Sequence, residues 1–291
     1  MHVHGNNLEQ KENHPSKYRS TQSKAYLAEI RVEYDKWKKK NLLLKGPVSK
    51  QVVADDQVIR KRVRLLNDYK DFLDQQRFAE EFDSRSNLHS TALEEFLLYL
   101  FKDLVADISK NALIGKSHTF KDLFFRADSF ADMLDTPKML IEKKDHDFAI
   151  GVRIAGNFKC VGSEKTEFQS DTWDVPAIAI ECKTYLDKTM LQDASTAAEQ
   201  LKHRNPNARY IVVAEWLKLT ESVNLRKLKI DQIYVLRKQK NTDREFRYLD
   251  GYIKNPIYPE PIIHLFNEIR SFLTESWDGA LSHGLERGYL I

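Results

Sequence analysis

The chain has 291 residues, 42% hydrophobic and 31% charged, with a formal net charge of +3. That length supports one large core or two modest ones, and no run approaches the ~20 apolar residues a membrane span needs. Two cysteines, Cys160 and Cys182, are too few for a disulfide framework; with no secretory pattern at the start, a reduced, cytoplasmic protein without membrane partners is expected.

Residues 1–20, rich in Asn, His, Lys and Ser and without apolar periodicity, predict a disordered tail. From Thr21 to about Lys40, the residues Tyr26, Leu27, Ile30, Tyr34 and Trp37 recur at helical spacing. Gly46 and Pro47 break that pattern, and a second helical stretch runs through Val52, Val63, Leu66, Tyr69 and Phe72 to about Phe82. The third, Leu88 to Leu104, is the most apolar, with Leu93, Leu97, Leu100 and Leu104 as its buried stripe. Glu94 lies on the flank of that stripe, within reach of a site at the core's edge, and Glu95 falls nearly opposite. An ordinary solvated side chain is the competing reading of Glu94.

Residues 111–146 are mixed, with a short helix around Ser129 to Leu134. Asp147-Phe-Ala-Ile-Gly-Val-Arg-Ile154 then reads as a strand opened by Asp147. Phe148, Ile150, Val152 and Ile154 share its apolar face, and Asp147, Ala149, Gly151 and Arg153 share the other. Val175-Pro-Ala-Ile-Ala-Ile-Glu-Cys-Lys183 repeats the design: Ile178, Ile180 and Cys182 on one side, Ala177, Ala179, Glu181 and Lys183 on the other. Small residues there leave room for something bulky to approach. Antiparallel pairing of the two strands brings Asp147, Glu181 and Lys183 together, two carboxylates and an amine suited to a divalent metal and a phosphodiester. Met190 to Leu201 is an amphipathic helix, Arg209 to Ala214 a strand, Ile230 to Leu236 another. A last helix follows Pro259 and Pro261 to about Trp277. Strand, helix, strand at this spacing is a crossover unit.

Other motifs carry less. Gly115-Lys-Ser117 ends like a P-loop, but Lys110 stands where the motif needs Gly. No Cys or His pair has zinc spacing, so His118, His146 and His203 read as polar or core histidines. The basic runs at Lys36–Lys40, Arg60–Arg64, Arg226–Lys229 and Arg237–Lys240 are equally readable as solvated faces or as contacts to a polyanion.

A helix with Glu94, a strand with Asp147, a strand ending Glu181-Cys-Lys183, a crossover helix and a strand resemble the α/β PD-(D/E)xK nuclease core, αβββαβ, of many Type II restriction endonucleases. The segments Ala92–Phe101 and Ile180–Met190 are similar to the heterodimeric BbvCI-like enzymes that cut CCTNAGC-type sites. The sequence departs from the motif in two ways: His146 precedes the aspartate where Pro is usual, and the gap to Glu181 is long. Asp171 and Asp174 are therefore alternative carboxylates.

The resemblance implies Mg²⁺ held by Asp147, Glu181 and the Cys182 backbone carbonyl. Lys183 would act on the attacking water and the transition-state charge, and Glu94 would act from behind the ligands through a water. It further implies hydrolysis of double-stranded DNA at a short specific site, leaving 5′-phosphates. Each subunit would cut one strand, with a related second subunit as partner or, alternatively, a second copy. Under this reading residues 1–20 are the tail, 21–87 a helical region contacting DNA or partner, 88–255 the nuclease core, and 256–291 a C-terminal helix packed on it. Ser163 to Trp173 and the basic helices are candidates for base contacts. Two other functions fit the same residues: a repair or recombination nuclease of this fold without sequence-specific cutting, and a DNA-binding module with a vestigial trio.

Overall fold

A computed structural model describes residues 2–48, 52–82, 87–135, 137–161, 169–240, 251–275 and 277. Four helices come first: α1 (Val3–Glu12), α2 (Thr21–Leu43), α3 (Val52–Leu73) and α4 (Gln76–Glu81). Helix α5 (Leu88–Ile108) follows, then strand β1 (Leu113–Arg126), helix α6 (Phe130–Asp135), and strands β2 (Lys138–Phe158) and β3 (Gln169–Leu186). Helix α7 (Lys188–Arg204), strands β4 (Arg209–Leu217) and β5 (Gln232–Val235), and helix α8 (Pro259–Thr274) complete the chain order. From α5 to β4 this is the αβββαβ sequence with the short helix α6 inserted between β1 and β2. No helix among the described residues is long and apolar enough to cross a membrane.

The sheet is ordered β1-β2-β3-β4-β5. β1, β2 and β3 are antiparallel neighbours, whereas β4 and β5 run parallel to β3, as a crossover through α7 requires. Strand alternation sends Phe148, Ile150, Ile178, Ile180 and Cys182 into the large core shared with α5 and α8. Ala179, Tyr210, Val212 and Ala214 face the other way and pack with Leu191, Ala194, Ala198 and Leu201 of α7. The small residues of β3 thus make room for helix α7, not for a ligand. The Glu181 and Lys183 end of that face stays partly open.

Asp147 does not open its strand. β2 begins at Lys138, and Asp147 sits in mid-strand where β2 reaches the core. The apolar face also ends early, since Val152 and Ile154 are exposed beyond a bulge between Ile150 and Gly151. A Cβ on Gly151 would lie 2.2 Å from the Val175 carbonyl oxygen, so this close approach to β3 requires glycine.

Residues 2–20 are not a disordered tail. The His2 and His4 side chains and the His4 and Gly5 amides have partners inside the protein. Glu95, fully buried on α5, accepts from the backbone N–H groups of His4 (2.9 Å) and Gly5 (3.2 Å), and from the Tyr34 (3.0 Å) and Tyr99 (2.5 Å) hydroxyls. A carboxylate at a helix N-terminus satisfies donors that the helix itself cannot. His4 is buried between Thr91 Oγ1 (2.9 Å) and the Tyr69 hydroxyl (2.6 Å), and Leu8 is buried behind it. Glu95→Ala is expected to destabilise the protein by about 3 kcal/mol or more, because several buried donors lose their acceptor together. Thermal melting should show the loss, and amide exchange across α1 should rise first. Unchanged protection of α1 would contradict this account of its docking.

Two of the basic runs also serve the fold. Arg62 is buried, donating to the carbonyls of Asn41, Leu44 and Gly46. Arg237 is buried against Glu215 (3.1 Å), which also holds Lys70 at 2.5 Å. Buried charges of this kind persist only when paired.

Candidate active site

Antiparallel pairing of β2 with β3 puts Phe148 opposite Ile180, so Asp147 reaches the Glu181–Cys182 end of β3. The Asp147 carboxylate accepts a hydrogen bond from the Cys182 backbone N–H at 2.8 Å. Lys183 Nζ donates to Glu181 Oε1 at 2.6 Å, and the Tyr210 hydroxyl donates to Glu181 Oε2 at 3.3 Å. Glu94, only 7% exposed on α5, completes a group of three carboxyls around one lysine.

The electrostatics follow from crowding acids in a place with little water. Burial, then Asp147, and less strongly Glu181 push the Glu94 carboxyl up to about 8, against the pull of Lys116 and Lys183. Burial and Glu181 push Asp147 up to about 6, with Lys183 and the Cys182 amide opposing. Burial disfavours the charge on Lys183, but Glu181, its hydrogen bond and Asp147 outweigh this, and the ammonium is held above the ordinary lysine range. A neutral lysine able to take a proton is therefore disfavoured; a fixed positive charge is favoured.

The alternative aspartates lie elsewhere. Asp174 accepts from Arg153 Nε (2.8 Å) and from the His118 N–H (2.7 Å), and Asp171 pairs with Lys143 at 2.6 Å. At ~3.3 Å per residue, Asp174 is roughly 20 Å along β3 from Glu181. Of the proposed base-contact segment, residues 163–168 lie outside the described residues, and Gln169 to Trp173 form the start of β3.

Cross-strand placement adds three residues that were not singled out as site residues. Lys116 sits at a register shift of β1, between residues paired with Ala149 and His146, and pulls the pKa of both Glu94 and Asp147 down. The rejected P-loop look-alike thus supplies a second cation. His146 is a core histidine as expected, and burial drives its imidazole down to about 4. Tyr210 on β4 reads in sequence as an ordinary strand aromatic, so only the β3–β4 register, with Ala179 opposite Tyr210, reveals it.

Among the described residues no three His, Cys, Asp or Glu side chains already stand in an arrangement that would hold a metal. Glu181 is instead taken up by Lys183 and Tyr210. The donor set nonetheless suits a hard divalent cation: it is all carboxylate oxygen, and a cation would hold ionised the Glu94 and Asp147 carboxyls that their surroundings push up.

The profile of the Bpu10I restriction endonucleases matches residues 85–290. The chain belongs to the Bpu10I restriction endonuclease family. Among solved structures it is similar to the native BbvCI A2B2 tetramer, with a TM-score of 0.70 and 20% identity over 94% of this chain and 96% of that one. No curated protein matches. The Bpu10I-family profile begins just before α5 and takes in the whole sheet with Asp147, Glu181 and Lys183, and the likeness to BbvCI shows the fold expected from the sequence.

Proposed function

We propose that this subunit hydrolyses one strand of double-stranded DNA at a short specific site, with Mg²⁺ as cofactor, and leaves a 5′-phosphate. The observation that carries the reading is the Asp147–Glu181–Lys183 convergence at the β2–β3 pair with Glu94 beside it. Asp147, Glu181 and the Cys182 carbonyl would hold the ion, which supplies charge neutralisation at the phosphate and acidifies water. Lys183, held as a cation, stabilises the charge that builds on the phosphate oxygens. Lys116 adds positive potential from the β1 side. Glu94 keeps a proton near neutrality and acts as a donor or, once ionised beside a cation, as an acceptor for water.

One such convergence among the described residues is matched to one strand, so a double-strand cut calls for a partner; a related second nuclease subunit is proposed, as the BbvCI-like resemblance implies. The test is a digest of plasmid DNA with Mg²⁺, with and without that subunit. Discrete fragments are expected with both present. A smear would favour a nuclease without site specificity, and intact DNA under all metal conditions would sink the enzymatic reading.

A further inference from the structure

We propose that Tyr210 is the positioning residue of Glu181, seated by the ring of His146; the proposal rests on the reading of Glu181 as a metal ligand. The two carboxylates of the site are fixed by different means. Asp147 is held by a backbone amide, that of Cys182, which no side-chain change removes. Glu181 is held by two side chains, Lys183 on Oε1 and Tyr210 on Oε2.

These two holds are not equivalent. A DNA phosphate entering the site competes with Glu181 for the Lys183 ammonium, which is 27% exposed and on a flexible stem. When Lys183 turns to the phosphate, Tyr210 is the hydrogen bond left on Glu181 among the described residues. It keeps Oε2 occupied and leaves Oε1 free to face a cation. Tyr210 suits this task. It is fully buried, and its phenol O–H has Glu181 Oε2 as its acceptor at 3.3 Å. Its ring sits on a strand paired with β3, so its hydroxyl has little freedom to wander.

His146 explains why the phenol stays in place. Its ring meets the Tyr210 ring edge-on, with centroids 5.7 Å apart and planes at 75°. It is 2% exposed, and its Nδ1 makes no hydrogen bond among the described residues, a cost for a buried polar atom that a packing role offsets. His146 occupies the position before the aspartate where the motif has Pro. The departure from the motif thus becomes a support for the second carboxylate.

The experiment compares Tyr210→Phe with the wild-type chain, with the partner subunit present where cleavage needs it. Mg²⁺ is titrated under single-turnover conditions, and Mn²⁺ binding to the protein–DNA complex is measured by calorimetry. Tyr210→Phe is expected to raise the half-maximal Mg²⁺ concentration and weaken Mn²⁺ binding by about tenfold, the lower end of what loss of a ligand-orienting partner costs. The rate at saturating metal, metal-free DNA binding and the melting temperature should stay close to wild type. His146→Ala should shift metal affinity in the same direction by less, and His146→Phe should restore it. Metal affinity within twofold of wild type in Tyr210→Phe overturns the proposal, provided Glu181→Ala is inactive and fails to bind Mn²⁺. If Glu181→Ala binds and cuts normally, the metal-ligand reading falls and the proposal with it.

Discussion

Lys183→Ala is expected to lower the cleavage rate by about a hundred- to a thousandfold, the typical cost of removing one preorganised charge from a hydrolytic site. Folding and metal-free DNA binding should be nearly unaffected. The raised pKa of Lys183 fixes which kind of loss to expect. A lysine that worked as a base would need to be neutral, and its removal would be mimicked by lowering the pH. A lysine that works as a charge keeps its effect across the neutral range, so the defect in Lys183→Ala should be nearly independent of pH between 6.5 and 8.5. Without the ammonium, Asp147 loses a cation that opposes the repulsion from Glu181, and its carboxyl can relieve that repulsion by taking up a proton. Misfolding is therefore not the expected outcome. Combined with an intact partner subunit, the variant should convert supercoiled plasmid to an open circle nicked on one defined strand. Linear product at the wild-type rate would show that Lys183, and with it the one-site, one-strand assignment, is wrong.

How much of this was legible beforehand depended on where the information resides. The face pattern of Val175–Lys183 and the apolar stripe of α5 are local, with periods of 2 and 3.6 residues, and both elements formed as read. The convergence of Asp147 with Glu181 needed one further assumption, antiparallel pairing, and it holds. What stayed hidden was set by partners distant in the chain. Strand β1 buries Ser117 and Thr119 and exposes Phe124 and Phe125, so its apolar residues trace no core face. Helix α1 is polar, yet His4 sits against Thr91 and Tyr69 and its backbone N–H against Glu95, partners that polarity alone does not reveal. Glu95, expected opposite the buried stripe, is buried because α1 covers that side of α5. Tyr210 enters through register, which no single strand encodes.

The acidity of Glu94 gives the second large effect, on stability in the absence of metal. Its carboxyl is pushed up to about 8 in the fold, against roughly 4.3 in an unfolded chain. The folded state therefore holds a proton that the unfolded state has lost, so this contribution to stability is full below about pH 4.3 and disappears as pH rises through about 8. Asp147 behaves likewise, but only up to about 6. Below pH 6.5 the buried histidines confuse the picture: burial lowers His4 and His146, so their contribution rises with pH toward the ordinary histidine value. Cys182 and the buried tyrosines, all raised, act above about pH 8.5. Between 6.5 and 8.5 Glu94 is left as the dominant shifted group. Over that window the metal-free protein should lose about 2 kcal/mol, visible as a fall of roughly 4 °C in melting temperature. Glu94→Gln should flatten that slope and be the more stable form at pH 8.5. Mg²⁺ should recover stability in the wild type more at pH 8.5 than at 6.5, because a cation binds the ionised carboxylates and competes with their protons. A wild-type melting temperature as flat as that of Glu94→Gln would mean that Glu94 faces water instead of Asp147, and the third carboxyl would then leave the site.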